Sequence, residues 1–170
     1  MAGPWSLLGG AVTTTGWRGD PIANTSPILT TTVDSFDRHF AVNARATWLL
    51  IKKFAEQFVG PAGSGRIVAI TSDHTAFNLP YGASKAAMDR IVLAAAVELA
   101  ELGITANVVN PGATDTGWMD AAIEAVVRHG NLQPRIGQPI DCANVVRFLC
   151  SPEGQWINGQ LLYSDGGKKP

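Results

Sequence analysis

Gly65-Arg66-Ile67-Val68-Ala69-Ile70-Thr71 runs through a short polar loop into the Ala-rich stretch Tyr81 to Leu102, which Gly103 closes, and then into Thr105-Ala106-Asn107-Val108-Val109. The first run is apolar and β-branched without alternation, which predicts a strand buried on both faces. The middle stretch is made of strong helix formers with a glycine stop, which predicts a helix. The last run predicts a second buried strand, ended by Asn110-Pro111-Gly112. A strand, a helix and a strand of these lengths pair in parallel through a right-handed crossover.

Working outward, Phe36, Phe40, Leu50, Phe54 and Phe58 fall on one helical stripe that begins at Asp34 and stops at Gly60-Pro61. Trp48 is expected in the core or in a helix interface. Downstream, Asp120 to His129 and Asp141 to Cys150 read as helices, the second with Pro139 just ahead of it. Gln160 to Ser164 reads as a final strand, with Trp156 packing near it. Residues before about 30 are rich in Gly, Thr, Pro and Ser and are expected to be irregular, with room for one strand. The fold class is therefore α/β, with helices covering both faces of a parallel sheet, and no internal repeat interrupts it.

A chain of 170 residues, 46% hydrophobic and 16% charged, has the size and composition of one packed domain. Its net charge of −1 carries no block of either sign, which argues against a nucleic-acid or anionic-membrane partner. Leu7 to Val12 is broken by Gly9 and Gly10 and is too short to span a bilayer, so a cytoplasmic location is expected. Cys142 and Cys150 form no Cys-x-x-Cys pair and are expected to be buried reduced thiols; His39, His74 and His129 are too scattered for a metal site.

Tyr81 and Lys85 stand four apart at the start of a helix and so project from one face. That spacing alone also suits an ordinary surface pair. Ser72, however, follows the strand Ile67 to Thr71, and Asn110-Pro111-Gly112-Ala113-Thr114-Asp115-Thr116 follows the next strand. Ligands of open α/β sheets bind beyond the carboxyl ends of the strands, so the two strand ends aim polar groups at one crevice. Asn43 continues the stripe of Phe36 and Phe40 and should face the interior, where its amide needs partners. Nearby backbone or a functional group could supply them.

Taken in order, Phe40-Ala41-Val42-Asn43-Ala44-Arg45, Gly65 to Ser72, Tyr81-Gly82-Ala83-Ser84-Lys85, Asn107 to Gly112 and Asn158-Gly159-Gln160 through Asp165-Gly166-Gly167 resemble the short-chain dehydrogenase/reductases, in particular members like the 3-oxoacyl-ACP reductases. The resemblance spans about residues 27 to 167. It implies a Rossmann-type fold and hydride transfer between NAD or NADP and a small carbonyl or alcohol substrate. Tyr81 would be the general acid to the carbonyl oxygen, Ser72 would polarise that carbonyl, Lys85 would hold the nicotinamide ribose, and Asn43 would hold a water in the proton path. A free tyrosine titrates near ~10, and a neighbouring ammonium favours its ionised form, bringing the donor closer to working pH. Pro111, Gly112, Thr114 and Thr116 would line the nicotinamide pocket, together with Asn43, Tyr81 and Lys85. Trp118 and Met119, in the segment that lids the substrate, would line the pocket or simply pack.

Two departures from the family pattern stand out. Ser72 and Tyr81 are closer in sequence than is usual, with Thr71 as the alternative donor. At the front, Thr15-Gly16-Trp17-Arg18-Gly19 is the nearest string to the Gly-rich turn that seats a pyrophosphate at a helix N-terminus, and it has the wrong spacing. The family's Asn-Asn-Ala-Gly segment has no counterpart. The expectation is an irregular segment 1–26 without family resemblance, followed by a partial domain, 27–170, forming the C-terminal half of a doubly wound sheet. A truncated gene product, a mis-assigned start or a shifted reading frame would produce such a chain.

Two functions follow: an oxidoreductase of the family, with weak cofactor binding, or a catalytically silent remnant acting as an oligomerisation or interaction module through its two long helices. Homo-oligomers are expected in either case. A serine hydrolase built on Ser72 and His74 is excluded, because there is no Gly-x-Ser-x-Gly elbow. The residues that select NAD or NADP, and those that select a substrate, are not legible.

Overall fold

The computed structural model describes residues 11–14, 26–117 and 121–167, without side chains for 11–14 and 121–124. Four strands, β1 (Ala11–Thr14), β2 (Gly65–Ile70), β3 (Ile104–Asn110) and β4 (Leu161–Tyr163), form a sheet in sequential order, each parallel to the next. Between β1 and β2 lies one long helical run: α1 (Val33–His39), a π-helical turn (Phe40–Arg45) and α2 (Ala46–Gln57). Helix α3 (Leu79–Glu98) joins β2 to β3, and α4 (Ala121–Gly130) and α5 (Pro139–Cys150) precede β4.

Residues alternate across the sheet, so β2 and β3 each serve two cores. Ile67, Ala69, Ile104, Ala106 and Val108 pack with Ile51 of α2 and with Met88, Val92, Ala95 and Ala96 of α3. Val68 and Val109 face the other way, onto Leu149 of α5 and its neighbours Cys142, Val145 and Ile157. Both faces of β2 and β3 are covered, as their unbroken apolar runs require.

Boundaries follow local chemistry. Thr32 caps α1, its hydroxyl accepting from Ser35 N. Pro80 stands in the first turn of α3, and Gly103 closes the helical segment at φ +72° after a short 3₁₀ turn. The buried asparagines around β3 are structural clamps. Asn107 binds Ile157 O at 2.8 Å and accepts from Gln160 N at 3.0 Å, while Asn158 accepts from Ala106 N and donates to Ala96 O, both at 2.8 Å.

Three expectations need correction or narrowing. The upstream helix is not one uniform amphipathic run, because the wide π turn shifts its register. Its buried line is His39, Asn43, Thr47 and Ile51, while Phe36 and Leu50 are partly or half exposed. Trp48 is half exposed on α2 beside Lys52, which rules out the core and leaves the helix-interface alternative. Trp156 is 95% exposed, because the turn after α5 directs its neighbour Ile157 into the core instead. Cys142 and Cys150 are free thiols, half-buried, whose pKa is raised by burial. No helix among the described residues is long and apolar enough to cross a membrane, and no described group of His, Cys, Asp and Glu could hold a metal ion.

Candidate active site

The site is assembled where the C-terminal end of β2, the first turns of α3 and the π turn meet. Lys85 is almost wholly buried, and its Nζ donates to Ile70 O at 2.7 Å, tying α3 to the end of β2 two residues before Ser72. The ammonium lies 5.9 Å from the centre of the Tyr81 ring, so the spacing of four does bring both groups to one face. Burial pulls the Lys85 pKa down from 10.5 to about 8, with Asp89 opposing the fall.

Asn43 reaches the same place from a different element. Its side-chain nitrogen donates to Ser84 Oγ at 2.9 Å, and Ser84 Oγ in turn donates to Tyr81 O at 2.8 Å. A π turn widens the helix by one residue and recurs at functional sites. Here it spans Asn43 and lets the amide face α3 while the Asn43 carbonyl accepts from Thr47 Oγ1 at 2.8 Å. His39, one turn earlier, is also buried and stands edge-on to Tyr81, with ring centres 6.5 Å apart. Its Nδ1 lies 2.7 Å from Ser35 O; a carbonyl can only accept, so that nitrogen carries the hydrogen.

Ser72 lies just past the strand end. Its Oγ accepts from His74 N at 3.2 Å, which leaves the hydroxyl proton available to donate. The loop from Ser72 to Asn78 is short and tightly held: Ser26 N donates to Phe77 O at 2.7 Å, and Leu79 N donates to Ser26 O at 3.0 Å. These bonds hold Phe77 at φ +59° with its ring largely exposed, a conformation that costs a bulky residue about 1–2 kcal/mol. Gly82 is required because a Cβ there would lie 2.5 Å from the Thr75 backbone.

The loop after β3 leaves the sheet at the strand end next to that of β2. Asn110 Oδ1 accepts from Gly112 N at 3.0 Å, and Thr114 Oγ1 donates to Pro111 O at 3.0 Å, so both polar side chains serve first to shape the turn. Gly112, at φ +61°, lies too close to Asp165 for any side chain. Thr116 is exposed. Trp118 and Met119 lie outside the described residues, as does the Thr15 to Gly19 string. Among the polar groups that sequence reasoning passed over, Ser84 sits inside the Tyr81–Lys85 motif, and His39 was detectable as the residue one turn before Asn43. Asp89 lies one turn beyond Lys85.

A family profile described as enoyl-(acyl carrier protein) reductase matches residues 4–169. An oxidoreductase of Bacillus subtilis, YjdA, is 42% identical over 138 residues, covering 78% of this chain and 55% of the relative. The chloroplast NADPH-dependent aldehyde reductase 2 of Arabidopsis thaliana is 39% identical over 153 residues, covering 85% of this chain and 56% of the relative. Among solved structures, the angucycline C-6 ketoreductase LanV with bound NADP superposes with a TM-score of 0.77 at 29% identity, covering 92% of this chain and 61% of that one. The chain thus spans little more than half the length of the curated relatives it matches. A parallel Rossmann-type sheet that gathers a buried lysine, a tyrosine and an asparagine at one strand end, in a sequence matched along nearly its whole length, places this chain in the short-chain dehydrogenase/reductase family of oxidoreductases.

Proposed function

We propose that this chain carries the catalytic residues for NAD- or NADP-dependent reduction of a small carbonyl compound, or oxidation of the corresponding alcohol. The observation that carries the reading is the buried Lys85 ammonium, anchored on Ile70 O beside the Tyr81 ring. The nicotinamide fits this place: an ammonium has three donors, Ile70 takes one, and the others suit ribose hydroxyls. When bound, the cofactor supplies or accepts the hydride.

The protein's own groups handle the proton and the carbonyl oxygen. Tyr81 gives its phenolic proton to that oxygen during reduction, and Ser72 donates a hydrogen bond that polarises it. Lys85 holds the ribose and favours ionisation of Tyr81. Asn43, pinned through Ser84 to the first turn of α3, holds the water that returns a proton to the site. Pro111, Gly112, Thr114 and Thr116 flank the nicotinamide, with Trp118 and Met119 toward the substrate.

Tyr81→Phe tests the assignment, since it deletes the proton donor and keeps the ring. Turnover of any carbonyl substrate should be lost with the fold intact by circular dichroism. Ser72→Ala should cost about a hundredfold in rate, typical of losing one transition-state hydrogen bond, with little change in cofactor binding. Retained activity in Tyr81→Phe would overturn the reading.

The second reading, a silent interaction module, is favoured by α2, which leaves Trp48, Leu49 and Leu50 each about half exposed. Isothermal titration with NADH and NADPH separates the two, because the module reading predicts no binding. Self-association is proposed under both.

A further inference from the structure

One turn beyond Tyr81 and Lys85 lies a second polar group with no assigned part. Asp89 follows Lys85 by four residues on α3, on the same helical face. One of its carboxyl oxygens, Oδ1, is buried without a hydrogen-bond partner, and so is Oγ1 of Thr71, the residue that follows Ile70. The Thr71 hydroxyl lies near enough to stabilise the ionised carboxyl, though outside hydrogen-bond geometry. Thr71 itself is fixed by its backbone N–H, which donates to Val109 O at 2.9 Å. Ile70 and Thr71 thus stand at the end of β2, and Lys85 and Asp89 follow one another by a turn on the face of α3 that Lys85 ties to it.

We propose that Asp89 is a positioning residue: its carboxylate, set against Thr71, is the counter-charge that keeps the buried Lys85 ammonium protonated and on the Ile70 carbonyl. Its functional consequence rests on the proposed oxidoreductase reading, in which Lys85 must be charged to hold the ribose and favour ionised Tyr81.

A buried ammonium tends to lose its proton, and burial already brings Lys85 to about 8. Among the described residues, Asp89 is the acidic group whose charge acts on Lys85. His39 on α1 faces the Tyr81 ring, and Asn43 and Ser84 are uncharged. Burial raises the Asp89 pKa, while Thr71, Lys85 and, from the exposed side of α3, Arg90 pull it back. The carboxylate and the ammonium therefore each offset part of the cost of burying the other's charge.

The test reads Lys85 directly. The full chain is labelled at the lysine ε-carbons, the Lys85 signal is assigned by its loss in Lys85→Arg, and its titration is followed by NMR. Asp89→Asn should lower the Lys85 midpoint by about one pH unit, a tenfold easier loss of the proton, at the low end of what a neighbouring opposite charge contributes. Asp89→Glu, which keeps the charge, should restore it; a merely structural role would predict no such rescue. If Asp89→Asn does not fold, Thr71→Val gives the second reading, since losing the hydroxyl weakens the ionised carboxyl and should move the Lys85 midpoint the same way by a smaller amount. An unchanged midpoint in the folded variant overturns the proposal. A lowered midpoint with unchanged NADPH affinity would instead uphold the pairing and count against the oxidoreductase reading.

Discussion

Gly82→Ala sets two effects of opposite sign against each other. In an open helix, alanine is favoured over glycine by up to about 1 kcal/mol, so the change should stabilise α3. A Cβ at position 82, however, would lie 2.5 Å from Thr75 Cα and 2.7 Å from Thr75 Cβ, contacts far inside van der Waals distance and made partly with backbone. Overpacking of this kind costs about 1–3 kcal/mol, and the upper part of that range applies where backbone must move. The net expectation is a loss of about 1–2 kcal/mol. Equilibrium urea denaturation of the variant beside wild type measures it, with a fall in midpoint at unchanged slope. Ala86→Gly, at an exposed position on the same helix, is the control and should cost about 1 kcal/mol from propensity alone. Thr75 belongs to the loop that carries Ser72, so Gly82→Ala should also reduce any carbonyl reduction. Unchanged or increased stability of Gly82→Ala would refute the close packing of that loop on α3.

Other predictions follow from the same geometry. Phe77→Gly should raise stability by about 1 kcal/mol in thermal melts, because φ +59° suits glycine and the ring is mostly exposed. Met88→Ala should cost about 2–5 kcal/mol in urea denaturation, since the side chain is fully buried between α3 and the sheet. Asp141 accepts from Arg135 Nη1 at 2.6 Å and from Gln138 N at 2.7 Å, and the Arg135 bond foremost holds its pKa near 2, below the usual 3.8. A carboxylate with a depressed folded pKa stabilises above its unfolded value and loses that contribution as pH falls from 3.8 towards 2; Asp141→Asn should flatten this part of the melting-temperature profile. Sedimentation velocity should show concentration-dependent association that Trp48→Glu weakens, and a single monomeric species at all concentrations would count against self-association.

Local pattern carried much of this protein's architecture. The apolar runs at Gly65–Ile70 and Ile104–Asn110 could hardly be anything but buried parallel strands around an Ala-rich helix, and the four-residue spacing of Tyr81 and Lys85 placed both on one helical face before any contact was known. Such features are legible because a strand's period and a helix's period are written in consecutive residues. The tertiary structure decided what those faces meet. Asn43 turned inward beside His39 and not along the phenylalanine stripe, because the π turn re-registers the helix; its amide found Ser84, 41 residues away. Lys85 was recognisable as a motif residue, but its bond to Ile70 O, its burial and its altered acidity arise only once α3 lies across β2. Trp156, an aromatic that burial energetics alone would draw inside, ended up in solvent while its neighbour Ile157 packs against Val68, Val109 and Leu149. In each case the deciding energy comes from groups distant in sequence, desolvated together by packing, and no local period encodes which distant group will be there.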